Sequence, residues 1–384
     1  MKTIRWTLIA LPLLLLAPVV GAGEMEIPVV SLGMGGHNRR VAKDLEPWLE
    51  KYPGKWVWNW LEGSLIANES VTDDDLAALA ELRLGERDFP TLDLRQAKSL
   101  TGAGLARWGN RINFQRLWLD GENTDAVLSH LGNLPNLRDL RIDGAGITDA
   151  GLAHLGKLVN LQYLTLSEGN AVTDAGLARL GNMSGLSTLN IHTPNATAAG
   201  YVFLADLPAL RSFSSSTIGD DGMDALLSVT MLRYVGLDGN GKVTNAGLAK
   251  LATLPNLSTL RLHCPGITEK GLAALETFPA LIHIYLRGEG VTDRELAAVG
   301  RLRKLRNLGL EYIQNITAEG IASLAGLPEL RDLLLHESQD VAEACLPGLG
   351  KLTQLETLRF NGCGRLSEAG MEELRKALPQ CRIQ

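Results

Sequence analysis

Leu137-Arg138-Asp139-Leu140-Arg141-Ile142-Asp143-Gly144-Ala145-Gly146-Ile147-Thr148-Asp149-Ala150-Gly151-Leu152-Ala153-His154-Leu155-Gly156-Lys157-Leu158 is one unit of a pattern that fills most of the chain. Its first part reads L-x-x-L-x-L, and the last two apolar positions alternate at period two, as in a short strand with one buried face. After Ile147 the apolar period becomes three, through Leu152, Leu155 and Leu158, which suits a short helix. Thr148 stands where a helix N-cap belongs, with Asp149 at the positive end of the helix.

The phrase beginning at Ile147 recurs. Taking its first residue as an anchor gives Val71, Leu100, Asn123, Ile147, Val172, Ala196, Ile218, Val243, Ile267, Val291, Ile316, Val341 and Leu366, thirteen copies spaced 22 to 25 residues apart from Leu100 onward. Each of the eleven anchors from Leu100 to Val341 stands 14 residues before the first leucine-type residue of the next strand. All length variation therefore lies between strand and anchor. Layers that must match their neighbours demand a fixed helical arc, whereas chance similarity would scatter insertions everywhere. Pro135, Pro208, Pro255, Pro279 and Pro328 end helices just before the next strand.

On these residues the chain resembles leucine-rich-repeat proteins of the cysteine-containing type, also called GALA-type after the Gly-Leu-Ala step. Gly151-Leu152-Ala153, Gly176-Leu177-Ala178, Gly247-Leu248-Ala249 and Gly271-Leu272-Ala273 carry that step. Leu358-Arg359-Phe360-Asn361-Gly362-Cys363-Gly364-Arg365-Leu366-Ser367 is similar to the family's cysteine-bearing turn. The resemblance covers roughly residues 56 to 384 and implies an α/β right-handed solenoid, a horseshoe with a parallel sheet on the concave face and short helices on the convex face. The expected division is a signal peptide at 1–22, an N-terminal cap at 23–70, the solenoid at 71–365, and a C-terminal repeat and cap at 366–384.

Lys2 and Arg5 precede an apolar run from Leu8 to Val20, and Val20-Gly21-Ala22 offers small residues for cleavage after Ala22. The mature chain is expected to be exported, periplasmic or extracellular, and without a membrane span. Without those residues 35 basic face 43 acidic side chains, and no basic stripe appears. Nucleic acid and anionic membrane are therefore poor partners.

The ends break the pattern. Trp48, Trp56, Trp58 and Trp60 cluster ahead of the repeats, read as a cover for the open core edge, with an aromatic sugar platform as the alternative. Gly33-Met34-Gly35-Gly36 reads as a turn, since it lacks the Lys-Ser/Thr of a phosphate loop. Around Arg211-Ser212-Phe213-Ser214-Ser215-Ser216, a serine replaces a core leucine at Ser215, and a softer layer is expected there. Cys264, Cys345, Cys363 and Cys381 read as buried thiols. Whether Cys345 and Cys363, in adjacent layers, form a disulfide is left open, and no C-x-x-C zinc pattern occurs. Asn68, Asn182, Asn195, Asn256 and Asn315 begin N-x-S/T sequons, relevant only in a glycosylating host.

Function falls to the residues between the strand leucines, which share one outward face. Candidate partner-binding residues are Trp118, Tyr163, Tyr234, Arg261, His263, His283, Tyr285 and Arg287. Tyr, Trp and Arg dominate binding hot spots, and the last six lie on three successive strands. The competing reading is a solvated strand face whose aromatics stack across strands. No nucleophile elbow, H-E-x-x-H or paired-carboxylate arrangement occurs, so no catalytic residue, metal or cofactor is expected. The expected function is a monomeric, non-enzymatic scaffold for a protein partner. The alternatives are a glycan-binding envelope module or a substrate-recognition subunit. The latter rests on the resemblance to F-box leucine-rich-repeat proteins, although residues 38 to 55 are too short and polar for an F-box.

Overall fold

The computed structural model describes residues 45–59, 63–79, 89–108, 114–120, 124–132, 134, 136–144, 146–167, 169, 171–238, 241–263, 265–338, 341–363 and 366–384. The signal-peptide segment, the glycine turn at 33–36, Trp60 and Cys264 lie outside the described residues. Strands are β1 (Trp56–Asn59), β2 (Ser64–Ala67), β3 (Phe89–Asp93), β4 (Phe114–Asp120), β5 (Asp139–Asp143), β6 (Tyr163–Leu166), β7 (Thr188–Ile191), β8 (Ser212–Ser215), β9 (Tyr234–Asp238), β10 (Thr259–His263), β11 (His283–Arg287), β12 (Asn307–Glu311), β13 (Asp332–His336), β14 (Thr357–Asn361) and β15 (Arg382–Ile383). Their order in the sheet is their order in the chain. Two compact units divide at Leu140/Arg141.

In the first unit β1 and β2 form an antiparallel hairpin, and β2, β3 and β4 pair in parallel. Trp48, Trp56 and Trp58 are buried, and Trp48 packs on Tyr52 and Trp56 at 4.7 and 5.4 Å. Three of the four indoles are thus spent on packing. Lys55 and Asp75 form an ion pair at 2.7 Å, and the same carboxylate accepts both the backbone N–H and the hydroxyl of Thr72.

The second unit shows why the repeat has its sequence. In β10, Leu260 and Leu262 are buried while Thr259, Arg261 and His263 are half-buried, the period-two pattern of a one-faced strand. Short helices follow, as at Asp149–Leu155 and Asn245–Lys250, each opened by a threonine whose hydroxyl accepts a backbone N–H. The aspartate after that threonine does more than face the helix dipole. Asp149 accepts the backbone N–H of Thr173, one layer on, at 2.8 Å and its hydroxyl at 2.6 Å. Asp174 holds Thr197, Asp220 holds Thr244 and Asp293 holds Thr317 in the same way. Asn245 serves Thr268, and in the first unit Asp73 serves Thr101. Each carboxylate latches one layer to the next.

The latch also explains the glycine of the Gly-Leu-Ala step. A Cβ at Gly176 would lie 2.1 Å from an oxygen of Asp149, and Gly200, Gly247 and Gly320 stand equally close to Asp174, Asp220 and Asp293. Glycine is present there for close approach rather than for an unusual dihedral angle.

The layer opened by Val291 departs from this scheme. Glu269 replaces the preceding aspartate, and Glu295 occupies the glycine position. Glu295, itself buried, accepts the N–H of Thr292 at 3.0 Å and its hydroxyl at 2.5 Å, a capping box within the layer. Thr72 and Asp75 have that arrangement too, in the layer where the repeats begin. The layer of β11 therefore opens as a first layer does, and the step from β10 to β11 is an unlatched seam.

The serine-bearing layer of β8 is not empty. Tyr201 takes the helix position of a leucine, and its hydroxyl meets Thr217 at 3.0 Å and Ser215 at 3.3 Å. Ser215 also accepts the N–H groups of Thr217 and Ile218, both at 3.1 Å. A larger ring and a polar cluster replace the missing leucine, so the layer is polar and filled. Cys345 and Cys363 are free and buried, and the Cys363 thiol donates to the Leu335 carbonyl at 3.1 Å. Burial, with Asp293 nearby, pushes the Cys345 thiol up to about 11.

Candidate binding face

Parallel register converts the outward strand positions of β9 to β13 into columns. Tyr234, Thr259, His283, Asn307 and Asp332 form one. Gly236, Arg261, Tyr285, Gly309 and Leu334 form the next. The third holds Asp238, His263, Arg287, Glu311 and His336. Tyr234, Arg261, His263, His283, Tyr285 and Arg287 thus share one face on three adjacent strands, all half-buried.

These six side chains are not equivalent. Arg261 reaches past β11 to Glu311 on β12, where its guanidinium donates at 2.8 Å. Burial alone would lower the pKa of Arg261, but Glu311, then Asp238 and Tyr234, outweigh it and raise it. Tyr234 is pushed up by burial, an effect opposed by the Arg261 charge and by hydrogen bonds to Ser214 and Arg261. Tyr234 and Arg261 are therefore committed to a network within the protein. Tyr285 lies flat across Gly309, where an added Cβ would meet its ring at 2.3 Å. The missing side chain at Gly309 is what lets that ring lie on the sheet.

Arg287 sits directly opposite Glu311, yet Glu311 is taken by Arg261. The Arg287 guanidinium rests instead on the ring of Tyr312, 4.6 Å from its centroid. Tyr312 was not among the sequence-derived candidates because it follows the strand rather than lying within it. Its φ of 55° is left-handed, at the turn position that Gly288 and Gly362 fill beside β11 and β14. A bulky residue held in that region is strained, and an aromatic in a glycine slot was the available signal. His336, which the pattern places outward on the wall, is buried at 7% exposure and meets Tyr312 edge-on at 5.7 Å. A tyrosine in the preceding turn covers it.

Beside this group, a cavity of about 510 Å³ lies at the carboxyl end of β10 and β11. Leu262, Leu272, Leu286 and Val291 line it, with His263, Arg287 and Tyr312 at its edge. A second, shallower trough of about 560 Å³ lies over β6 to β9. It is polar, and His192 hydrogen-bonds the Ser216 hydroxyl there.

The other two candidates stand elsewhere. Trp118, in the first unit, is half-buried beneath Arg95, whose guanidinium lies 4.7 Å from its ring. Tyr163 on β6 is 47% exposed and separate from the β9 to β11 group. Among the described residues no group of three His, Cys, Asp or Glu side chains is placed to hold a metal, and no helix is long and apolar enough to cross a membrane.

No protein-family model matches the sequence, and no curated protein does. A chain of the crystal structure of the Rad7 and Elc1 complex in yeast superposes with a TM-score of 0.53 at 18% identity, covering 82% of this chain and 84% of that chain. An internalin (inlF) from Listeria monocytogenes str. 4b F2365 is 19% identical over 90% of this chain and 94% of that chain, with a TM-score of 0.39. The yeast likeness is one of fold alone. With one parallel strand per layer, buried leucines between strand and helix, and a sheet that follows the chain order, the fold is a leucine-rich-repeat solenoid.

Proposed function

We propose that this chain is a non-enzymatic scaffold that binds a protein partner through the sheet face around β9 to β12. The observation that carries the reading is the register that gathers His263, His283, Tyr285 and Arg287 into one surface. Two imidazoles and a guanidinium beside a rigid aromatic suit a hot spot, and among the described residues none of the four is bound in an ion pair. The fold supports a protein partner in a coarser way, since the yeast structure with which it superposes is a complex of two proteins. The cysteine-containing, GALA-type assignment rests on the Gly-Leu-Ala steps and the turn ending at Cys363. Export to the periplasm or the extracellular space rests on the charges and apolar run before Ala22.

The test compares the purified chain with a His283→Ala, Tyr285→Ala variant and with a helix-side control, Lys270→Ala. Each is cross-linked in envelope extract and the captured species identified. A protein captured by the parent and the control, and weakened by about thirtyfold or more in the double variant, supports the reading. Equal capture by all three removes this face as the contact surface. Retention on isolated wall polysaccharide without any protein favours a glycan-binding module.

A further inference from the structure

The trough over β6 to β9 differs in chemistry from the face beside it. Tyr163, Thr165, Thr188, Asn190, Ser212 and Ser214 are the outward residues of β6, β7 and β8, and none carries a charge. Ser167, His192 and Ser216, which follow those strands, add no carboxylate, ammonium or guanidinium. From β9 to β13, by contrast, the outward columns hold Arg261, Arg287, Glu311 and Asp332. The recess follows from side-chain size. β8 presents only serines outward, between Asn190 and His192 on one side and Tyr234 and Asp238 on the other. Short side chains between taller neighbours leave a depression, here of about 560 Å³, within the range of small-ligand pockets. Thr165, Asn190, His192, Ser214, Ser216 and Asp238 line it and are half-buried, so they reach the open space.

Such a lining matches a ligand that is itself covered in hydroxyls. A serine hydroxyl donates one hydrogen bond and accepts two, and a side-chain amide offers both roles. Asn190 donates to the Thr165 hydroxyl at 3.3 Å, which leaves its carbonyl oxygen free among the described residues. Asp238 closes the far end, and one of its carboxylate oxygens is enclosed without a hydrogen-bond partner among the described residues. An unmet acceptor calls for a donor, and a ligand hydroxyl supplies one when the carboxylate turns toward the trough. Tyr163 stands exposed at the amino end of β6, two positions before Thr165 on the same face. An exposed aromatic ring offers a flat apolar face to the C–H side of a sugar ring. An anionic ligand would find no Lys or Arg in this lining, and a protein hot spot would find no Trp or Arg anchor.

We propose that this trough binds a neutral oligosaccharide, one ring stacked on Tyr163 and the hydroxyls of the others shared among Asn190, the β8 serines and Asp238. Three strand spacings separate β6 from β9, about 14 Å, so a short chain of sugars rather than a single ring spans the site. The inference goes beyond the protein-partner reading, since it concerns a separate part of the sheet and needs no partner protein.

Calorimetry on the purified chain decides it. The probes are linear neutral hexasaccharides of β-1,4-glucose, α-1,4-glucose, β-1,4-mannose, β-1,4-xylose and β-1,4-N-acetylglucosamine, beside an acetylated and amidated hexaserine peptide. At least one saccharide should bind with a Kd below about 1 mM, and the peptide should not bind. Tyr163→Ala should weaken saccharide binding about tenfold or more. Ser214→Phe, which sets a ring in the strip of serines, should remove it. Tyr285→Ala, outside the trough, should bind saccharide like the parent, which separates this test from that of the protein-binding face. Melting curves of all three variants should stay within a few degrees of the parent. Should Ser214→Phe unfold early, Tyr163→Ala decides alone, because its side chain is exposed. No binding by any hexasaccharide, binding of the serine peptide in their place, or saccharide binding that a folded Tyr163→Ala or Ser214→Phe leaves undiminished overturns the proposal.

Discussion

Replacing Asp149 tests the latch where its geometry is clearest. Asp149→Ala removes two hydrogen bonds to Thr173, at 2.8 and 2.6 Å, and a negative charge from the first turn of the helix Asp149–Leu155. Both bonds are solvent-exposed, so each contributes at the low end, about 0.5–1 kcal/mol, and the helix-end charge adds about 0.3–1 kcal/mol. The expected loss is about 2 kcal/mol. Asp149→Asn should cost only about 0.5–1 kcal/mol, since Asn245 performs the same latch on Thr268. Gly176→Ala should destabilise the parent by about 2 kcal/mol despite the ~1 kcal/mol that alanine gains over glycine in a helix, because its Cβ would lie 2.1 Å from the Asp149 carboxylate. Combined with Asp149→Ala, the alanine should cost at least about 1 kcal/mol less. Urea unfolding of the four chains, with midpoints converted through their own slopes, measures the cycle. Additive losses, within about 0.5 kcal/mol, would show that carboxylate and glycine do not share one contact.

Other consequences are checked more simply. For Asp73, burial opposes ionisation, but hydrogen bonds from Thr101, Gly104 and Gly102 outweigh it and hold its pKa below 3.8. A carboxylate lowered in the folded state stabilises above its ordinary pKa and loses that contribution as pH falls through the lowered value. Acid unfolding of the first unit should therefore steepen below pH 3.8, less so in Asp73→Asn, and identical acid profiles would contradict this. Cys345, raised to about 11, should react with iodoacetamide at pH 8 at least a hundredfold more slowly than an ordinary exposed thiol, read by mass spectrometry. Equal labelling would show that the thiol is not enclosed. Tyr201→Phe should cost about 1–2 kcal/mol in thermal unfolding by leaving the buried Ser215 and Thr217 hydroxyls short of a partner. An unchanged melting temperature would remove the polar cluster's role.

What the sequence disclosed and what it withheld divide along a physical line. Strand leucines, threonine caps and the outward columns are set by period and by neighbours in the chain, so they were legible. The Asp149–Thr173 latch was not, because it joins residues 24 apart across a layer boundary, and the aspartate alone looked like a helix-end charge. The compensation of Ser215 by Tyr201 was hidden similarly, since each departs from the repeat in a different element. Of the candidate face, residue identities and columns were legible but not their commitments. Tyr234 and Arg261 proved to be engaged internally, while Tyr312 was overlooked for lying one residue past its strand.

Register across the seam is tested most directly by cross-linking. In a chain whose native cysteines are replaced by serine, His263→Cys with Arg287→Cys should form a disulfide under mild oxidation. The two positions share a column on adjacent strands, about 4.8 Å apart, within disulfide reach. His263→Cys with Leu286→Cys should not, because Leu286 points to the buried side. Bonding in the second pair and none in the first would put the strands out of step and dissolve the face on which the functional reading stands.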